Sequence, residues 1–134
     1  MQSRIQQLPV TFMNEDHAHA LVILDGLMDA VRACPEDLDS LGECLMEFIS
    51  HSREHFEREE KAMQSSQFPP YPIHKSEHDR VLGWLEDTLT ALRSNALDAS
   101  QLNRIGEEMK SWFFQHIQSM DAVTANWIAS HQHP

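Results

Sequence analysis

A chain of 134 residues fits one domain with a hydrophobic core of its own rather than two. Ten basic against twenty-one acidic side chains leave a net charge of −11, which repels nucleic acid and anionic membrane and excludes both as expected partners. The opening stretch MQSRIQQLPV holds no apolar signal core. No apolar run approaches the about 18 residues a spanning helix needs, so a cytoplasmic protein is expected.

Apolar spacing predicts helices in chain order. The first covers about 14–33, with Ala20, Leu21, Leu24, Leu27, Met28 and Val31 in one stripe opposite Asp25, Asp29 and Arg32, and Cys34-Pro35 ends it. The second covers about 38–64, with Leu41, Leu45, Phe48 and Ile49 inward, and stops at SSQFPPYP, where proline cannot continue a helix. The third covers about 73–92 through Val81, Leu82, Leu85 and Leu89. The fourth, about 98–130, opens on a capping box of Asp98 and Gln101 and runs through Leu102, Ile105, Met109, Phe113, Ile117 and Ile128. No strand period competes. The expected fold is all-α, an antiparallel up-and-down four-helix bundle in a single domain over 1–134. Cys34 and Cys44 form no CxxC pair and read as packed, reduced thiols.

Histidine is the compositional outlier, with nine copies. His131 and His133 sit in a polar tail, HQHP, and are set aside. The stretch HFEREEKAM, 55–63, reads either as a solvated charged face or as half of a metal site. His51, His55 and Glu59 recur every fourth position, so each turns only about 40° from the last and all rise along one face. His74 and His78 share a face in the same way. His116 lies in the apolar context WFFQHI, where a histidine by itself is an ordinary core residue. On the first helix His17 stands four before Leu21 and seven before Leu24, whereas His19 points about 160° away, which makes His17 the inward candidate. Buried imidazoles and carboxylates each need a partner, and one shared metal site supplies it to all. The charged stretch is therefore read as part of a metal site.

These residues, in this order, resemble the hemerythrin family of non-haem di-iron proteins over nearly the whole chain. The matching parts are MNEDH ending at His17, HFEREE from His55, PYPIHKSEH through His78 and WFFQHIQSMD ending at Asp121. The resemblance implies two iron ions. One would be held by His74, His78 and His116 and the other by His17 and His55, with Glu59, Asp121 and an oxo or hydroxo group as bridges. From spacing alone Asp121 stands equally well on the surface. A regular helix turns it about 140° from His116, so its role needs a wide bite or a local distortion.

The resemblance further implies reversible dioxygen binding at the iron with two histidines, in a protein that is not an enzyme. Expected walls of the oxygen pocket are Phe56, Trp112, Phe113 and Ile117. Where the family usually carries a leucine, three residues after the first histidine, this chain has Ala20. Expected partners are dioxygen, small anions and nitric oxide, with the chain as a monomer. Other readings are a sensor of oxygen, nitric oxide or redox state acting through a separate protein, or peroxide and iron handling. A ferritin-like oxidase is disfavoured because no ExxH occurs.

Overall fold

The computed structural model describes residues 5–131. Helix α1 spans Thr11–Ala33, α2 Leu38–Ser65, α3 Tyr71–Arg93 and α4 Ala99–His116; a π-helical turn, Ile117–Asp121, then leads into α5, Ala122–Ser130. Both joints of that turn keep right-handed helical dihedrals, so α4, the turn and α5 form one continuous rod. Four rods joined by the short loops 34–37, 66–70 and 94–98 must alternate in direction. Helix α1 packs on α2 and α4, and α2 packs on α3, which gives the antiparallel up-and-down four-helix bundle. Among the described residues there is no strand, and no helix is long and apolar enough to cross a membrane.

Local chemistry sets the ends of the helices. Asp37 caps α2 by accepting from the Ser40 N–H. Asp98 and Gln101 close both halves of the capping box of α4, each bond at 2.9 Å. Helix α2 ends in a Schellman turn: the Phe68 N–H donates to the Met63 carbonyl at 2.9 Å, and Gln67 takes a left-handed φ of 57°.

Three expectations need correction. Helix α1 begins at Thr11 rather than near Asn14; the Asn14 side chain reaches back to the Leu8 N–H and carbonyl, each at 2.8 Å. That clamp brings Leu8 and Val10 into the core. Helix α3 begins at Tyr71 rather than near Ile73, since the N–H that Pro72 lacks has no acceptor in a first turn anyway. Cys34 is exposed rather than packed, because it lies beyond the last turn of α1, and Cys44 is half-buried.

Antiparallel alternation also decides where the chemistry gathers. Leu24, Leu45, Ile49, Leu85, Leu92 and Leu102 fill one end of the bundle. The beginning of α1, the end of α2, the beginning of α3 and the end of α4 meet at the other end, and these four segments carry the histidines.

Candidate metal centre

His17, His55, Glu59, His74, His78, His116 and Asp121 are all buried, with Glu59 and His78 at 0 % exposure. Their donor atoms form two groups, each within 4.8 Å: His74, His78, His116 and Asp121 in one, and His17, His55, Glu59 and Asp121 in the other. His19 is exposed, so of the two histidines on α1 it is His17 that turns inward.

The carboxylates divide their oxygens between the two groups. Glu59 Oε2 lies 2.7 Å from His55 Nε2 and 3.7 Å from His17 Nε2, while Oε1 lies 3.2 Å from His78 Nε2 and 3.7 Å from His74 Nε2. Asp121 Oδ2 is 3.0 Å from His17 Nε2, and Oδ1 is 3.1 Å from the Nε2 atoms of both His74 and His116. Each carboxylate thus offers one oxygen to each side. Short as these contacts are, His17 Nε2, both Glu59 oxygens, His78 Nε2 and Asp121 Oδ1 have no hydrogen-bond partner. Fully buried donors and acceptors without partners are costly, and a cation shared by each group would satisfy them. A set of imidazole nitrogens and carboxylate oxygens suits iron among the divalent metals.

Asp121 reaches the centre through the π turn. On a regular helix a residue five beyond His116 would face away. Here the Ala122 N–H bonds back to the Ile117 carbonyl, an i→i+5 step that takes one extra residue into the turn and returns Asp121 to the face of His116. The local distortion that the spacing demanded is this turn.

The outer ring nitrogens are held as well. His55 Nδ1 donates to Asp16 Oδ2 at 2.9 Å, His78 Nδ1 to Glu60 Oε2 at 2.9 Å and His74 Nδ1 to Thr124 Oγ1 at 2.7 Å. A proton held on Nδ1 leaves the Nε2 lone pair facing inward. Arg58 also grips Asp16, at 2.8 Å. None of Asp16, Glu60 and Thr124 is marked by sequence pattern, because each acts on a ring carried by another helix.

Charge in the centre is strongly coupled. Burial would lower the His55 ring, but the facing Glu59 charge and the hydrogen bond to Asp16 outweigh it and hold the ring up at about 10. His17 and His78 are raised on the same balance of burial against facing carboxylates. Burial would raise Glu59 and Asp121, yet the surrounding rings keep both carboxyls below their ordinary values. The His55 ring therefore stays protonated at neutral pH in the metal-free centre, and protons compete with a metal for the same atoms.

Beside the centre is a cavity of ≈ 20 Å³ lined by His17, Ala20, His55, Phe56, Trp112, Phe113, His116 and Asp121, together with Phe48, His51, Ser52, Val81 and Met109. It touches His17 and His55 of one group and, of the three histidines in the other, His116. Of the expected pocket walls, Ala20, Phe56, Trp112 and Phe113 line it. Ile117 does not: it is buried at the start of the π turn. His51 donates from Nε2 to the Asp16 carbonyl at 3.0 Å, and burial keeps its ring below the ordinary imidazole value, so it is a neutral group at the cavity edge. His131 stacks on Trp127 at 3.5 Å, away from the centre, and His133 lies outside the described residues.

Comparison with known proteins agrees with this geometry. The family model of the hemerythrin HHE cation binding domain matches residues 8–128. A bacteriohemerythrin of Ralstonia nicotianae is 33% identical over 116 residues, 85% of this chain and 77% of that protein. A myohemerythrin of Sipunculus nudus is 32% identical over 99 residues, 74% of this chain and 71% of that protein. Among solved structures, wild-type hemerythrin is similar with a TM-score of 0.85 at 21% identity, covering 96% of this chain and 98% of that one.

Proposed function

We propose that this chain, which belongs to the hemerythrin family, is a single domain that binds dioxygen reversibly at a pair of non-haem irons. His74, His78 and His116 would hold one iron and His17 and His55 the other, with Glu59 and Asp121 bridging. The observation that carries this reading is the split of both carboxylates, each with one oxygen toward each histidine group. Bound there, two ferrous ions would supply the two electrons that reversible dioxygen binding needs. The residues around them supply the rest. Asp16, Glu60 and Thr124 fix ring orientation, while Phe56, Trp112 and Phe113 keep bulk water from the side with two histidines. Two free thiols suit a reducing, cytoplasmic setting.

The test is metal analysis followed by oxygen cycling. The purified chain is expected to hold about two irons. Its absorption after anaerobic reduction should change on admitting air and return on removing oxygen. One zinc per chain would sink the reading, and a spectrum that bleaches once without return would rule out a carrier.

Ala20 favours sensing or peroxide handling over storage within the same site. It is buried against the cavity, where a larger side chain would reduce the room next to His17. At ≈ 20 Å³ the cavity exceeds the ~10–15 Å³ that one water needs. Ala20→Leu is expected to slow azide entry, and the irreversible oxidation of the reduced protein in air, by about tenfold, at an overpacking cost of about 1–3 kcal/mol. Iron content should not change, because position 20 has no ligand atom. Equal rates in the two proteins would place the lid elsewhere.

A further inference from the structure

Of the residues that line the cavity, Trp112 is the most exposed; the others are 9% exposed or less. The indole is therefore the cavity wall that most faces solvent. The ring stacks on His116, with centroids 4.5 Å apart at 18°, and meets Phe56 edge-on at 6.5 Å. Such contacts let a ring tilt. Its outer edge is held by a polar bond instead: Nε1–H donates to Glu77 Oε2 at 2.8 Å. Arg80, one turn along α3, grips the same carboxylate, Nε to Oε1 at 2.7 Å and Nη2 to Oε2 at 2.9 Å. An indole N–H has one direction and no acceptor capacity, so this single bond from α4 to α3 fixes the ring's rotation.

We propose that Glu77, oriented by Arg80, is a positioning residue that latches Trp112 over the cavity and so sets the rate at which small ligands enter and leave the metal centre. The proposal rests on the function assigned above. Neither Glu77 nor Arg80 lines the cavity, so their effect passes through the indole. The bond is charge-assisted, and its loss is worth about tenfold in how often the ring stands open. A latch acts on the path and not on the ligand's bound contacts. Entry and exit therefore change together, and affinity does not.

The test uses the full chain carrying Trp84→Phe and Trp127→Phe, which leaves Trp112 as the one indole of the three. In that background Glu77→Ala is expected to raise acrylamide quenching of Trp112 in the metal-free protein. In the iron-loaded protein it should speed azide entry and exit about tenfold, with azide affinity and iron per chain unchanged. Glu77→Gln keeps an oxygen that accepts from the indole and should restore most of the slow rate. Arg80→Ala frees the carboxylate to swing and should fall between. If the alanine variant does not fold, the other two carry the same comparison. Unchanged quenching overturns the latch, and so does raised quenching with unchanged azide rates. A chain that takes up no iron overturns the function proposed above, while the quenching comparison still decides whether Glu77 holds the indole.

Discussion

Replacing any one of His17, His55, His74, His78 and His116 with alanine is expected to weaken iron binding by more than about a hundredfold, since losing even an outer partner of a metal ligand costs ~10–100-fold. Each of these rings is buried and presents Nε2 to Glu59 or Asp121. Its removal takes away a ligand and leaves a buried carboxylate oxygen with one neighbour fewer. His19→Ala should keep full iron content because that ring is exposed. His51→Ala should keep iron as well and change only the cavity edge that its bond to the Asp16 carbonyl shapes. Iron per chain after chelator dialysis ranks the variants. Loaded protein with a hundredfold excess over its dissociation constant gains about 2.7 kcal/mol, so the ligand variants should melt about 10 °C lower in iron. Loss of iron in His19→Ala with retention in His17→Ala would overturn the assignment on α1.

Much of this centre was legible because helical spacing is a local property. Positions four apart put His55 with Glu59 and His74 with His78 on single faces, and short loops force antiparallel neighbours, so four weak signals fall at one end of the bundle. Asp121 was not legible from spacing. One residue added to a turn leaves no mark in composition, and only the i→i+5 bond shows that the turn is π. Asp16, Glu60 and Glu77 were missed for a different reason. Each looks like any surface acid on its own helix, and each is defined by a ring on another: His55, His78 and Trp112. Apolar spacing sets the start of α1 about three residues late because the stripe begins at Ala20, whereas the Asn14 amide holds Leu8 from within the first turn of the helix. Ile117, an expected pocket wall, is buried at the start of the π turn and does not line the cavity.

Iron uptake is expected to release protons and to strengthen as pH rises. A ring binds a metal through Nε2 only after giving up the proton there. His55 is held protonated up to about 10, so at neutral pH iron must displace its proton, and the raised His17 and His78 rings add to the competition in the same direction. Each displaced proton gives a tenfold gain in apparent affinity per pH unit, and His55 by itself carries that slope from below 6.5 to about 10. The carboxyls act differently. Glu59 and Asp121 sit below their ordinary values and stay ionised well into acid, so competition at the rings, and not protonation of the bridges, should drive acid loss of iron. The sign for the metal-free fold is the reverse. Raised rings stabilise it fully below 6.5, and that contribution is lost as pH rises through the folded values toward 10. The gap in melting point between iron-loaded and metal-free protein should therefore widen from pH 6 to 9. Anaerobic ferrous titration of the metal-free chain at pH 7, read with a pH indicator, should release about one to three protons. A titration that releases none, with affinity flat across that range, would mean that the rings are already neutral and that the carboxylates balance charge by another route.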